Sequence, residues 1–388
     1  DHLAKRSARL PGSQAVSLSR DNDYGQALMS QFTKGFIYSD CQVDDSRLVV
    51  LNAMSARQHG ATILTRSRCT SINHDGKTWS VTIEQDNGVS QVVEAKILIN
   101  AAGPWVAGVE KLIHPQEPSN KLRLVKGSHI VVPKFYPGEH AYILQNKDKR
   151  IVFATPYRDD FAMIGTTDVD YTGDPAQVAI GEDEIDYLLT LINAYFAKPL
   201  TRADVISSWS GVRPLYNDNT GSASAVTRDY VFDLSGGNGQ QPPLLSIYGG
   251  KITTYRRLAE HALEKLTPFT NKSKAWTATQ SLPGGTIDSA DSYAAQLIQQ
   301  YGWIHQELAL RYAKAYGNLA NAFLSANINE MGQHFGHGLY ASEVNWQIEQ
   351  EWALTAEDIL WRRTCLGLLF DTHQVEQLER YIRQRREA

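Results

Sequence analysis

The spacing of apolar residues changes from a helical to a strand-like period early in the chain. Residues 46–58 have helical spacing, and Gly60 follows them as a stop signal. Residues 61–66 form a short strand-like run. The alternating segments 79–83 and 89–93 come next, with an Asp-Gly dipeptide before the first and an Asn-Gly dipeptide between them. Because these dipeptides favour tight hairpin turns, we predict a three-stranded antiparallel meander.

Short apolar runs without alternation predict buried strands in the next part of the chain. Residues 97–100 lead into a glycine-proline loop, as a buried parallel strand would, and residues 244–247 form a second such run. Between them the pattern predicts a mixed or antiparallel sheet and one helix at 182–197. The strands of that sheet are predicted at residues 128–132, 141–144, 151–154 and 161–165.

Strand-like runs end near Thr270, and the remaining pattern is helical. We predict an all-helical C-terminal domain with helices at residues 292–301, 307–316, 319–324, 342–352, 356–369 and 372–386. The chain therefore combines an α/β (α+β) part with a helical part.

Composition narrows the classes of protein that fit. A length of 388 residues predicts two or three domains, and a formal charge of −4 argues against a nucleic-acid partner. The three cysteines, Cys41, Cys69 and Cys365, have no metal-binding spacing and fit a reducing cytoplasm.

The segment around Gly249 and Gly250 is the most informative candidate for chemistry. An apolar run ends at the two glycines, Lys251 follows, and a helical pattern with Thr253 and Thr254 as N-cap candidates begins. Glycines let a ligand approach the backbone, and the N–H groups of a helix start attract negative charge. The pattern fits either a cofactor site or an ordinary turn with an exposed lysine.

This segment resembles the C-terminal flavin motif of the FAD-dependent glycerol-3-phosphate dehydrogenases, members of the D-amino-acid-oxidase-like flavoprotein superfamily. The resemblance extends over essentially the whole chain. Further matching motifs follow in the same order at residues 38–41, 43–45, 100–105, 126–133, 164–168, 210–215 and 227–230. It implies oxidation of sn-glycerol 3-phosphate to dihydroxyacetone phosphate by hydride transfer to FAD.

The resemblance also implies three domains and one missing part. An FAD-binding, Rossmann-like domain is expected at residues 1–121 plus 241–268, a substrate-binding domain at 122–240 and the helical domain at 269–388. The Gly-x-Gly-x-x-Gly fingerprint that opens the family's fold is not found, and the glycines at 236–239 lie in a predicted loop. We therefore expect the first domain to be incomplete, in a chain truncated at its N-terminus.

Cofactor contacts carry over to three groups of residues. The resemblance implies that the backbone near Cys69 contacts the adenosine part. It assigns the second flavin contact to the loop with Ala102, Gly103 and Trp105. The remaining contacts are assigned to Gly249, Gly250, Lys251, Thr253 and Thr254.

Arg213 and Arg228 are the candidate substrate anchors. A guanidinium group offers a planar fork for phosphate, and Pro214 favours an extended conformation at Arg213, presented from a rigid loop. From the residues alone, a structural ion pair with a nearby aspartate is the favoured role of Arg213. The resemblance implies that Arg213 and Arg228 hold the phosphate or glycerol oxygens.

Two residues compete for the role of base that takes the hydroxyl proton. His129 lies in an apolar strand, and imidazole titrates near neutral pH, but a core histidine fits the same pattern. Lys251 is the alternative, either as the base or as a cation that supports reduced flavin. The sequence leaves both roles open.

No metal site is predicted, because His334 and His337 lack a third ligand of suitable spacing. The resemblance implies a membrane quinone as electron acceptor. It also implies peripheral association with the inner face of the cytoplasmic membrane, and it is compatible with a homodimer. The alternatives are a glycerol-3-phosphate oxidase that uses O2, another FAD-dependent oxidase of the superfamily, and a flavin-free, inactive fragment.

Overall fold

The computed structural model describes residues 11–116, 121–146, 150–158, 160–217, 229–271 and 274–387. By contact the chain forms two compact units. One consists of Asp1–Cys41 and Arg68–Ser273, and the other of Gln42–Ser67 and Lys274–Ala388. The three predicted domain boundaries stay a prediction.

The strands of the described residues are numbered along the chain. They are β1 (Gln14–Ser17), β2 (Lys34–Ile37), β3 (Ser67–His74), β4 (Trp79–Gln85), β5 (Ser90–Ala95), β6 (Leu98–Asn100), β7 (Leu122–Pro133), β8 (Tyr142–Gln145), β9 (Ile151–Tyr157), β10 (Phe161–Gly165), β11 (Val169–Asp170), β12 (Ser207–Tyr216), β13 (Val231–Ser235), β14 (Leu244–Tyr248), β15 (His334–Gly336) and β16 (Leu339–Tyr340).

The α-helices of the described residues are numbered in the same way. They are α1 (Asp45–Gln58), α2 (Val106–Ile113), α3 (Glu182–Asn193), α4 (Tyr255–Lys265), α5 (Ala290–Tyr301), α6 (Gln306–Tyr316), α7 (Ala341–Glu351), α8 (Ala356–Arg362) and α9 (Thr372–Glu387). None of these helices is both long enough and apolar enough to cross a membrane.

A six-stranded antiparallel sheet forms the largest layer of the first unit. Its strands follow the order β11-β7-β10-β9-β8, and β12 pairs with the other side of β7. Successive side chains of a strand point to opposite faces. Ile130, Val132 and Ile164 on one face are fully buried and pack with Leu188 and Ile192 of α3. The opposite face carries His129 and the residues paired with it.

A smaller sheet in the same unit contains the parallel strand pair. Its order is β13-β14-β6, with β14 parallel to β6 and antiparallel to β13. The meander β3-β4-β5 lies beside it, and Trp79 of β4 donates its indole N–H to Pro243 O at 3.0 Å. The predicted meander and both predicted apolar strands are therefore present.

The helices of the second unit pack around apolar clusters and also bury two ion pairs. Arg47 of α1 donates to both carboxylate oxygens of Glu351 in α7, at 2.5 and 3.0 Å. Arg311 of α6 donates in the same bidentate way to Glu343, at 2.7 and 2.8 Å. The side chains of both glutamates are completely buried, so the arginines are needed to offset the cost of burying the two carboxylate charges.

Several predicted elements differ from the structure. Residues 61–66 are irregular rather than a strand, because the left-handed backbone at Arg66 (φ 49°) breaks the run before β3 begins. The helix predicted at 356–369 ends at Arg362, since the chain reaches another left-handed residue at Cys365 (φ 53°). The segment 319–324 lies mostly in a 3₁₀ turn, Gly317–Ala322.

Two further expectations need correction. The C-terminal part is not all helical, because β15 and β16 form a short hairpin with a left-handed residue, His337 (φ 49°), in its turn. The strand β6 is parallel as predicted but not buried throughout, since Ile99 is 46% exposed.

Candidate active site

Two loops leave the same edge of the parallel strand pair. The carboxyl ends of β6 and β14 lie side by side, and ligands of open α/β sheets bind at that edge. Asn100 at the end of β6 is buried and donates its side-chain N–H to Val106 O at 2.9 Å. This bond closes the loop that contains Ala102, Gly103 and Trp105, and it leaves the Trp105 side chain 49% exposed.

The loop after β14 is a turn that only glycine fits. Gly249 and Gly250 have φ values of 70° and 103°, which other residues adopt at a cost. A Cβ on Gly249 would lie 2.9 Å from Asp229 O, and one on Gly250 would lie 2.8 Å from Leu258 Cδ1. The turn therefore holds its backbone close to neighbouring residues and passes directly into α4.

The start of α4 keeps donor groups available for a ligand. A 3₁₀ turn, Ile252–Thr254, follows Lys251 and precedes α4, and neither start has a side-chain cap. Thr254 lies at the N-cap position as predicted, but its hydroxyl donates to Lys251 O at 3.0 Å instead of accepting from the helix. Lys251 and Thr253 are exposed beside these N–H groups.

This edge fits the flavin that the sequence resemblance implies. Gly103, also with positive φ (55°), has no heavy atom within 4 Å of the place a Cβ would occupy. The first loop thus offers open glycine backbone at Gly103, and the second offers uncapped N–H donors and one lysine to an electron-rich ring system.

A second group of residues lies on the face of β7 and β12 opposite Ile130 and Val132. His129 pairs with Trp209, and the two rings stack with centroids 5.8 Å apart. On the other side His129 pairs with Gly165, where a Cβ would lie 2.0 Å from His129 Cδ2. The imidazole therefore occupies the space that a side chain at Gly165 would fill.

Arg213 lies on the same face, two positions beyond Gly211 on β12. A Cβ on Gly127 would lie 2.5 Å from Arg213 Nη2, so this glycine lets the guanidinium extend across β7. The group donates to Asp168 Oδ1 at 2.7 Å and to Thr166 Oγ1 at 3.1 Å. Arg213 thus makes the aspartate contact of the structural interpretation, and its side chain remains about one-third exposed.

The expectation that Arg213 is presented from a loop is wrong, because it belongs to β12. Proline is tolerated in edge strands, and β12 pairs only with β7 among the described strands. Arg213 therefore has the extended backbone expected before Pro214, but it has it as part of a strand. The strand holds Arg213 more firmly than a loop would.

Burial and a neighbouring charge set the protonation of His129. Desolvation, and to a lesser extent the positive charge of Arg213, lower the pKa of its imidazole from 6.5 to about 4. The buried Nδ1 atom has no hydrogen-bond partner among the described residues. His129 is therefore a neutral imidazole at physiological pH, and its low pKa makes it a weaker base than an ordinary imidazole.

Contacts between elements bring the two groups together within the first unit. Strand β12 contacts the Gly103–Trp105 turn, and it also contacts β14. At its end the Tyr216 ring meets the Tyr248 ring edge-on, with centroids 5.7 Å apart, directly before Gly249. The strand that carries Arg213 therefore borders both loops of the parallel edge.

The structure shows less about the roles of the other predicted site residues. Cys69 lies in β3, where burial raises the pKa of its thiol and its side chain packs against the cluster around Trp79. Arg228 lies outside the described residues. His334 accepts a hydrogen bond from Gly338 N at 3.2 Å, and no metal-binding group of side chains occurs in the part of the chain that the structure describes.

Sequence reasoning missed the residues that surround the two candidates. Trp209 was not singled out, although it stands directly opposite His129 across the strand pair. Thr166, Thr167 and Asp168 were interpreted as part of a family motif at the end of a strand, without a contact to Arg213, yet they accept hydrogen bonds from its side chain. A prediction of β12 as the partner of β7 would have indicated Trp209.

Known proteins resemble this chain over most of its length. Residues 2–256 match the family described as FAD dependent oxidoreductase, and residues 275–384 match the C-terminal domain of alpha-glycerophosphate oxidase. The glycerol-3-phosphate dehydrogenase of Pseudomonas aeruginosa is 50% identical over 386 residues, which cover 98% of this chain and 74% of that protein.

Two other relatives add a second substrate and a solved structure. The D-erythritol 1-phosphate dehydrogenase of Brucella abortus is 46% identical, with 94% of this chain and 73% of that protein covered. The crystal structure of the glycerol-3-phosphate dehydrogenase from Bacillus halodurans, complexed with FAD, superposes with a TM-score of 0.77 at 28% identity. It covers 93% of this chain and 73% of that chain.

Proposed function

Because the chain belongs to the FAD-dependent oxidoreductases, we propose that it oxidises sn-glycerol 3-phosphate to dihydroxyacetone phosphate. The protein is an enzyme, and its cofactor is FAD. The arrangement that carries the substrate proposal is the placement of His129 and Arg213 on one sheet face, where β12, the strand of Arg213, borders the flavin-side loops.

The two side chains divide the work on the substrate. Arg213 presents a fixed guanidinium for the phosphate dianion, and about one-third of its side chain is exposed. Neutral His129 takes the C2 hydroxyl proton as the C2 hydride leaves; Lys251 is the alternative base. FAD, when bound, supplies the acceptor for that hydride. The backbone of Gly103, Gly249 and Gly250 would hold it.

Arg213→Ala tests the anchor. We expect kcat/KM for sn-glycerol 3-phosphate to fall by about 100-fold, since a charge-assisted contact to phosphate contributes about 3 kcal/mol. The flavin absorption band reports whether the cofactor is retained. The matched control is Arg202→Ala, which removes a surface arginine paired with Glu182 and Asp186. Unchanged kinetics of Arg213→Ala with full flavin content would contradict the anchor.

D-erythritol 1-phosphate is the second candidate substrate, because a D-erythritol 1-phosphate dehydrogenase at 46% identity lies within the 44–50% range of the glycerol-3-phosphate dehydrogenases. Both molecules pair a phosphate with a secondary alcohol, so Arg213 and His129 serve either one. The ratio of kcat/KM values for the two phosphates decides between them. A ratio that favours D-erythritol 1-phosphate would overturn the glycerol assignment and leave the roles of the residues intact.

We propose a membrane quinone as the electron acceptor, with the enzyme bound peripherally to the inner face of the cytoplasmic membrane. The name dehydrogenase of the relatives at 44–50% identity supports an acceptor other than O2. The test compares hydrogen peroxide yield with and without a quinone analogue, and sedimentation with lipid vesicles. Stoichiometric peroxide in the presence of quinone would favour the oxidase. A homodimer is tested by light scattering.

A further inference from the structure

A buried carboxylate lies on the other side of the sheet from His129 and Arg213. Glu184, in the first turn of α3, is only 4% exposed. Its Oε1 accepts a hydrogen bond from Thr167 Oγ1 at 2.6 Å and another from Ser128 Oγ at 2.9 Å. One carboxylate oxygen therefore joins the helix to two separate segments of the sheet.

The second oxygen of Glu184 is also fully engaged. Oε2 accepts from Gly181 N at 2.8 Å, which caps α3, and pairs with Lys126 Nζ at 2.6 Å. Burial by itself raises the pKa of this carboxyl, but the bonds from Lys126, Thr167, Gly181 and Ser128 lower it below its ordinary value. Glu184 is consequently an ionised group with its acceptor positions filled.

Two of the partners of Glu184, Ser128 and Thr167, adjoin residues of the candidate site. Ser128 precedes His129, and its hydroxyl also bonds to Ser210 Oγ at 2.8 Å on the strand that carries Arg213. Thr167 accepts Ser128 N–H at 3.0 Å and lies between Thr166 and Asp168. The carbonyl oxygen of Thr167 itself accepts from Arg213 Nη1 at 3.3 Å.

We infer that Glu184 is a positioning residue that, through Thr167, fixes the Arg213 guanidinium for substrate phosphate; this inference rests on the proposed function. Arg213 is held by Thr166, Thr167 and Asp168, and Thr167 is held in turn by Glu184. Packing alone does not require a charge at this position, since apolar groups bury at lower cost. A carboxylate, however, accepts several bonds at once from segments that must keep a common register.

The test replaces Thr167 and Glu184 in the FAD-loaded enzyme. Thr167→Val removes the hydroxyl at nearly constant volume, and Thr167→Ser restores it. Glu184→Gln removes the charge, and Glu182→Gln, an exposed neighbour in the same helix turn, is its control. Affinity for inorganic phosphate is measured by titration calorimetry. KM and kcat are measured for sn-glycerol 3-phosphate and for unphosphorylated glycerol.

We expect Thr167→Val and Glu184→Gln each to weaken phosphate binding and raise KM for sn-glycerol 3-phosphate about tenfold, the equivalent of one buried hydrogen bond. Values for glycerol, and for Thr167→Ser and Glu182→Gln, stay near those of the unaltered enzyme. A purely structural role affects both substrates alike, and that result overturns the inference. If Arg213→Ala does not weaken phosphate binding either, the proposed function itself fails, whereas loss only in Arg213→Ala contradicts the positioning role alone.

Discussion

His129 has two interpretations from the sequence. Its place in an apolar strand indicated a core histidine, and its family motif implied a catalytic base. In the structure the imidazole is mostly buried and neutral, as a core histidine would be, and the role of base stays a prediction. Its stacking on Trp209 and its fit over Gly165 fix the ring plane.

The depressed pKa of His129 makes stability depend on pH. The folded imidazole has a pKa of about 4, against an ordinary value of 6.5. Between these values the unfolded chain binds the extra proton, so the free energy of unfolding falls as pH drops from 6.5 to 4. Urea unfolding across this range measures the slope.

We expect His129→Gln to show a shallower slope, since glutamine does not titrate. His373→Gln, at an exposed position of α9, is the control and should parallel the unaltered protein. Equal slopes for all three proteins would contradict a buried, neutral His129.

The sequence predicts the residue types of the site better than their partners. Arg213 was named with two interpretations, anchor and aspartate ion pair, and the structure shows the Asp168 contact without deciding the anchor. Glu184 was only one of the polar positions on a predicted helix. Its role depends on Ser128 and Thr167, at separations of 56 and 17 residues, which no local pattern indicates.

At the level of secondary structure, β10 leaves room for the His129 ring because it has a glycine, Gly165, beside that ring. Gly165→Ala places a methyl group against the His129 ring, because the added Cβ would lie 2.0 Å from His129 Cδ2. We expect a stability loss of about 2 kcal/mol from overpacking. Displacement of the ring should lower kcat/KM about 100-fold. Thermal unfolding and steady-state kinetics check the two effects.

The control for Gly165→Ala is Gly211→Ala on β12. A Cβ there meets no heavy atom within 4 Å, so we expect the free energy of unfolding to stay within about 0.5 kcal/mol. Comparable destabilisation of both variants would contradict the steric argument.

Elements with strong local signals were predicted well, and those set by distant contacts were not. The helix α1, the meander and β10 follow from period and turn residues. The strand β12 carries Gly211 and Pro214, which read locally as a loop, and it exists because β7 offers a partner along its whole length. The hairpin of β15 and β16 is too short for alternation to be recognised.

At the scale of the molecule, the second unit depends on a helix from early in the sequence. Arg47 and Glu351 are almost completely buried as an ion pair, with side-chain exposures of 4% and 0%. We expect Glu351→Gln to lower the free energy of unfolding by about 3 kcal/mol, because the Arg47 charge loses its partner in the interior. Urea denaturation followed by circular dichroism measures the change.

Arg385→Gln is the matched control for Glu351→Gln. It breaks an exposed pair with Glu349 in the same unit, and such pairs contribute at most about 1 kcal/mol. Equal losses in the free energy of unfolding would show that the buried pair stabilises this unit no more than an exposed pair does.

The Arg47–Glu351 pair also constrains the order of events during synthesis. The two residues are 304 positions apart, so α1 leaves the ribosome long before its partner helix has been translated. Until then, Val50 and Met54, which are buried in the folded protein, lack their native neighbours. We therefore expect a nascent chain stalled before residue 351 to bind chaperones and to be cut by proteases more readily than the full-length chain.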